Sequence, residues 1–207
     1  METDMDAVDY SEESLLSELR ATGLDISSVS DLWSAEEPYR DAVEVLERYF
    51  LRTNDIRLKG AIARALSVPW AKSSRDSLLR SFATIPHDVD PDGFGLRWTI
   101  GNALEVLYDD SAFDEYTAIA ENVQFGKSRQ MVVLALAKSK QESARDVLRN
   151  LTNDVDVDGH AIKALVKLGP NSADRPYLAA KESDSRSWVA AAARRGLRKL
   201  DKGETTI

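Results

Sequence analysis

The sequence predicts an all-α protein of about ten helices, arranged as an α-solenoid in which helical units follow one another along the chain. Three observations lead to this prediction. Five stretches share one helical pattern and begin 28 to 40 residues apart. An amphipathic stretch that can form a partner helix follows each of the first four. Alternating runs of β-branched residues, which indicate strands, are absent.

The five stretches, called the copies below, can be placed in one register. The arginine column consists of Arg57, Arg97, Arg129, Asp158 and Arg186, so the fourth copy departs from the others. Six residues later stands the alanine column, Ala63, Ala103, Ala135, Ala164 and Ala192. Paired helices approach closely only where the facing side chain is small. The alanine column therefore predicts the surface on which helices pack.

The first 36 residues are predicted to form an acidic N-terminal cap segment. Ser11 is expected to cap a first helix, and Gly23 is expected to end it by adopting a left-handed conformation. The next helix is expected over residues 38–51, because Pro38 suits a first helical position.

The repeat array is predicted to span residues 37–200, and residues 201–207 are predicted to form a tail. Asn54 is expected to cap the first copy, and Gly169 is expected to end the fourth. The copies are expected at 54–67, 94–108, 127–139, 157–168 and 185–200. Their partner helices are expected at 73–83, 111–122, 141–151 and 172–181.

Three copies carry a family resemblance. The stretches RLKGAIARAL, GKSRQMVVLALAK and DVDGHAIKALVKLG resemble the short HEAT repeat of a widespread group of bacterial proteins, most of which have no assigned activity. The resemblance covers about residues 37–200. It implies a right-handed α-α superhelix of the armadillo type, with a concave surface lined by the second helix of each unit, here taken as the partner helices.

Composition limits the classes of function. The chain of 207 residues has no cysteine, so disulfides and thiolate metal sites are excluded. It contains no run of roughly 18 apolar residues, and its acidic start does not resemble a signal peptide, so we expect a cytoplasmic protein without a membrane partner. The net charge of −8 conceals a polarity, because residues 1–47 carry −12 and residues 159–202 carry +6.

Two loops have the D-x-D-x-D-G pattern that opens a calcium-binding loop. They consist of Asp88, Asp90, Asp92 and Gly93, and of Asp154, Asp156, Asp158 and Gly159. The twelfth position should hold a bidentate carboxylate, but it is Thr99 in the first loop and Leu165 in the second. Caps and turns between repeats are therefore the favoured interpretation, and cation binding stays open.

No catalytic constellation is found. His87 and His160 are the only histidines, and neither stands in a metal-binding spacing. Phosphate-binding glycine loops and nucleophile motifs are absent. We therefore expect a non-enzymatic protein without a cofactor.

The acidic first half predicts binding of a basic protein partner. Bacterial proteins of the HEAT-like type include immunity proteins that neutralise toxins, so the resemblance suggests an immunity, inhibitor or adaptor role. The residues expected to contact the partner are Asp41, Glu44, Glu47, Asp76, Asp114, Glu115 and Glu121.

Two alternatives use the basic second half of the chain. One is a nucleic-acid-binding protein, or one similar to HEAT-like DNA glycosylases, that makes contacts through the last helix. The other is head-to-tail self-association of the acidic start with the basic end. The residues expected to contact nucleic acid are Arg194, Arg195, Arg198 and Lys199.

Overall fold

A computed structural model describes residues 10–91 and 94–204 of the protein. Within these ranges the chain forms eleven α-helices and no β-strand, which confirms the predicted all-α class. The helices are α1 (Glu12–Ala21), α2 (Val43–Arg52), α3 (Ile56–Ala65), α4 (Arg75–Thr84), α5 (Leu96–Val106), α6 (Phe113–Glu121), α7 (Gln130–Ala135), α8 (Ser143–Leu151), α9 (Asp158–Leu168), α10 (Arg175–Ala180) and α11 (Ser187–Glu204). Among the described residues, no helix combines the length and the apolar character that crossing a membrane requires.

Turns of 3₁₀ helix account for most differences from the predicted boundaries. They precede four partner helices at Arg40–Ala42, Lys72–Ser74, Asp110–Ala112 and Ser172–Asp174, so these α-helices begin later than predicted. The third copy is reduced to the short α7, because 3₁₀ segments occupy Val123–Arg129 before it and Leu136–Lys138 after it. The tighter 3₁₀ geometry is common at such helix ends.

Helix ends confirm three predictions and correct two. Ser11 accepts the first-turn hydrogen bond of α1, and both Gly23 and Gly169 have positive φ where α1 and α9 end. Asp55, rather than Asn54, caps α3, because its carboxylate accepts the backbone N–H of the first turn at 2.8 Å. The predicted tail is wrong at residues 201–204, which continue α11; residues 205–207, like residues 1–9 of the cap segment, lie outside the described residues.

The helices form two layers. The copies α3, α5, α7, α9 and α11 pack side by side in chain order and form the copy layer. The partner layer consists of α2, α4, α6, α8 and α10, and each of its helices packs on the copy that follows it in the chain. Each copy is therefore the second helix of its unit, and our assignment of the partner helices to that position is wrong.

The alanine column lies at the centre of this packing. All five alanines are buried, with at most 1 % of their surface exposed, as the close approach of the copies requires. Two buried tyrosines, one in the segment before α2 and one on α6, complete the contact by donating to carbonyls at the ends of copies. Tyr39 donates to the Ala65 carbonyl at 2.6 Å, and Tyr116 donates to the Leu104 carbonyl at 2.8 Å. The two layers are thus joined by small side chains and satisfied polar groups.

The arginine column has different environments in different copies. Arg129 is fully buried and donates to the carbonyls of Ala120 at 2.7 Å and Gly126 at 3.0 Å. It also pairs with Asp154 at 2.5 Å. Arg97 is buried in the same way and donates to the Phe82 carbonyl at 3.0 Å. The carbonyls of Phe82 and Ala120 stand in the last turn of the preceding partner helices, where a carbonyl finds no N–H donor within its own helix.

Candidate functional site

Most of the acidic residues predicted to contact a partner are exposed on the partner layer. Glu47 is the exception, because its carboxylate accepts hydrogen bonds from the hydroxyls of Ser74 at 3.0 Å and Ser77 at 2.5 Å. It joins α2 to α4 and is not free to contact a partner. The exposed members are Asp41, Glu44, Asp76, Asp114, Glu115 and Glu121.

The two aspartate-rich loops use their carboxylates within the fold. Asp90 is buried and accepts the backbone N–H groups of Gly95 and Arg97, each at 2.8 Å, at the start of α5. In the second loop, Asp154 accepts from Arg129 and from the Asp156 backbone. Asp92 and Gly93 lie outside the described residues, and the described residues contain no group of three potential ligands that could hold a metal ion.

Replacing Asp90 with alanine is expected to lower the free energy of unfolding by about 1–2 kcal/mol, because α5 loses the acceptor at its first turn. The exposed neighbour Asp88, changed to alanine, is the matched control and is expected to stay within about 0.5 kcal/mol of the wild type. Urea denaturation measures both variants with and without calcium. A stability gain in calcium that both variants lose would contradict the capping role and support a cation loop.

The basic residues predicted on the last helix divide into two pairs. Arg194 donates to the Glu182 carbonyl at 2.9 Å, and Lys199 donates to the Val166 carbonyl at 3.2 Å, so both side chains are held against the fold. All four side chains are exposed, but within the described part of the chain Arg195 and Arg198 make no hydrogen bond or ion pair. The second pair is therefore the one that is placed to meet a ligand.

A cleft of about 960 Å³ opens where the N-terminal parts of three copies and the loop before α5 meet. We call it the aromatic cleft. Neither the copies' shared pattern nor the last helix predicts it, because it is assembled from loops far apart in the sequence. Its lining residues are Phe94, Lys127, Gln130, Val155, Asp156, His160, Lys163, Asp184, Ser185, Arg186 and Trp188.

Large apolar side chains are exposed in the aromatic cleft. Phe94 is 53 % exposed and Trp188 is 43 % exposed. Lys127 places its ammonium 5.8 Å from the centre of the Phe94 ring, within reach of a cation–π interaction. The ring of His160 lies edge-on to Trp188, with 5.1 Å between the ring centres. The cleft thus presents aromatic surfaces next to cationic side chains.

Ion pairs around the buried Asp158 lie next to Trp188 in the chain and in space. Asp158 lies between Arg186, which places two donors on it at 2.8 Å each, and Lys181 at 2.5 Å. Burial would raise the pKa of the Asp158 carboxyl, but hydrogen bonds from Arg186 and Lys181 outweigh it and hold the pKa below its usual range. A methyl group at Gly159 would lie 2.6 Å from the Trp188 ring, so glycine is needed for the ring to pack there.

His160 is neutral at physiological pH. Burial lowers its pKa to about 4, and the nearby charges of Lys163 and Arg186 act in the same direction. The imidazole therefore contributes a ring surface to the cleft, and the positive charge there comes from lysine and arginine.

The copy layer carries a basic face that extends beyond the last helix. Glu105 of α5 lies 3.1 Å from the Lys138 ammonium and 3.9 Å from that of Lys167, so the ends of three successive copies meet on one side. Arg195 occupies the same register position in α11 as Lys138 and Lys167 do in their copies. We define the basic face as Lys127, Lys138, Lys163, Lys167, Arg195 and Arg198, with the Glu105 carboxylate between Lys138 and Lys167.

One signal in the sequence could have revealed this face. Nine residues after the arginine column, the last three copies carry Lys138, Lys167 and Arg195. Packed copies that share a register place such a column on one surface, so three cations from separate helices become neighbours. The charge pattern along α11 alone predicts only the cations of that helix, because the column appears only when separate copies are aligned.

The fold and this site define an all-α two-layer helical array with a basic, aromatic cleft on its copy layer. No family model, characterised protein or solved structure that we compared with the chain matches it.

Proposed function

We propose that the protein is a non-enzymatic binding module whose basic face binds nucleic acid. The observation that carries this proposal is the width of the basic face, whose cations come from three copies and from the 3₁₀ segment before α7. A single cationic stripe at a helix end is common on protein surfaces, whereas phosphate backbones are bound by basic surfaces that extend over several elements.

The position of each copy as the second helix of its unit also favours the basic face as the ligand-binding surface. The resemblance to HEAT repeats implies that the second helix of each unit lines the concave side of the array, and the helix contacts make each copy that second helix. The basic face would then line the concave surface, where an extended ligand can contact several units at once.

Binding is favoured over base excision by the pairing of Asp184, one of the two carboxylates that line the aromatic cleft. Asp184 pairs with Arg186 at 2.8 Å, and so does the neighbouring Asp158, which does not line the cleft. Hydrogen bonds from Arg186 also hold the pKa of the Asp184 carboxyl far below its usual range. A carboxylate paired in this way is a poor proton acceptor, so we propose no catalytic step.

Reversing Lys163 and Arg195 to glutamate is expected to lower affinity for a labelled oligonucleotide at least tenfold, because two phosphate contacts become repulsive. Fluorescence anisotropy over a salt series measures this, and the affinity of the wild type should fall steeply as salt rises. The matched control reverses Asp114 and Glu115 to lysine on the partner layer and should keep the wild-type salt dependence. Equal binding by wild type and the Lys163/Arg195 variant would contradict the proposal.

A second candidate function is the binding of a basic protein, such as a toxin neutralised by an immunity protein, through the partner layer. It is favoured by the exposure of six predicted carboxylates on α4, α6 and the segment around the start of α2. The same Asp114/Glu115 variant tests it by co-purification from the host. Loss of one stoichiometric basic protein from that variant alone would favour this function. Association of the wild type with itself at low salt would instead favour the head-to-tail self-association of the acidic start with the basic end.

A further inference from the structure

We propose that the aromatic cleft stacks unpaired bases, so that the ligand of the basic face is single-stranded nucleic acid. This inference rests on the proposed function and adds to it the strandedness of the ligand. The chemistry is common to single-stranded DNA and single-stranded RNA, because both present the π-faces of their bases and a phosphate backbone.

The position of the two exposed aromatic rings favours this ligand. Phe94 precedes α5 and Trp188 lies in the first turn of α11, with α7 and α9 packed between these helices. The rings therefore lie at opposite sides of one cleft, with the cationic side chains of Lys127 and Lys163 between them. A strand that crosses the copies could place bases on both rings and its phosphates near the lysines.

Trp188 is held in place before any ligand arrives. Its ring packs on Gly159 and against the edge of His160, and the chain before it is fixed by the Arg186–Asp158 ion pair. A side chain that is already ordered loses little conformational entropy on binding. Trp188, which is 43 % exposed, is thus a preorganised stacking platform.

A duplex cannot use this platform. Its bases are stacked on one another and hydrogen-bonded in pairs, so their faces are closed to side chains unless the helix is opened. The basic face offers a duplex only phosphate contacts, whereas it offers a single strand both phosphate contacts and stacking. The structure therefore favours the single strand.

The test compares a labelled single-stranded DNA, a single-stranded RNA and a DNA duplex of the same sequence by fluorescence anisotropy at one salt concentration. We expect the wild type to bind at least one single strand more tightly than the duplex. Trp188→Ala is expected to weaken single-strand binding roughly 5- to 150-fold, the range for loss of one stacked base, and to leave duplex binding unchanged. The two single strands show whether DNA or RNA is preferred.

Two further variants keep the test decisive. Phe94→Ala changes the opposite ring, which is more than half exposed, and is expected to act in the same direction without loss of folding. Trp33→Ala is the matched control, because Trp33 is also 43 % exposed but lies away from the cleft, under the guanidinium of Arg64. It should bind as the wild type does.

The failure of this inference differs from the failure of the proposed function. Salt-dependent binding in which the duplex binds as tightly as either strand, or in which both cleft variants bind normally, would overturn the stacking site and leave the nucleic-acid function in place. No salt-dependent binding to any of the three ligands would overturn both.

Discussion

Changing Arg129 to alanine is expected to destabilise the protein by about 3–5 kcal/mol, the range for breaking a buried ion pair by removing one partner. Arg129 has no exposed surface, and its loss leaves the Ala120 carbonyl without its donor and the Asp154 carboxylate with only the backbone N–H of Asp156. An unsatisfied polar group inside the fold costs most of its desolvation energy.

Urea denaturation followed by circular dichroism measures this effect. The control is Arg57→Ala, which removes an arginine from the same register position in the first copy. The Arg57 side chain is 94 % exposed, and its replacement should change stability by no more than about 0.5 kcal/mol. If the two variants lose similar stability, burial does not determine the role of the arginine column.

Changing Asp158 to arginine is expected to cost about 4 kcal/mol or more, although it would restore the arginine found at this position in the other copies. The new guanidinium would be buried beside Arg186 and Lys181, which now share the Asp158 carboxylate. Three cations would then meet around a position whose present side chain is only 5 % exposed, which places the substitution among the exceptional destabilising ones.

The control for this prediction is Asp158→Asn, which keeps the size of the side chain and removes its charge. It should destabilise the protein less than Asp158→Arg does, because an amide oxygen still accepts a hydrogen bond from Arg186. Thermal unfolding of the three proteins at neutral pH provides the comparison. An arginine variant as stable as the wild type would show that the network does not require a carboxylate at this position.

Local features of the fold could be predicted from the sequence because they depend on neighbouring residues. Ser11 and Gly169 act at helix ends through their own side chain or backbone, and the alanine column follows from spacing within one helix. The first turn of several helices was misplaced because α and 3₁₀ geometry differ little in their sequence preferences.

Which neighbouring helix each copy pairs with was decided by the tertiary structure. Copies and partner helices alternate along the chain, so the sequence is equally consistent with pairing each copy to the helix before it or to the helix after it. Packing of α2 with α3, and of α10 with α11, decides between them. This choice moved the expected ligand surface from the acidic partner layer to the basic copy layer.

The candidate site was the least predictable part. Phe94 and Trp188 are far apart in the chain, and each alone is consistent with an ordinary core residue; only the packing of α5 to α11 brings them to one cleft and leaves them exposed. Likewise, Arg57 and Arg129 share a residue type and a register position but differ in burial.

The sequence by itself determined the helical class, the five copies and their small packing surface, because these follow from periodicity along the chain. The tertiary structure decided which charges are buried, which aromatic rings are exposed and which of them meet, because these properties depend on contacts between helices.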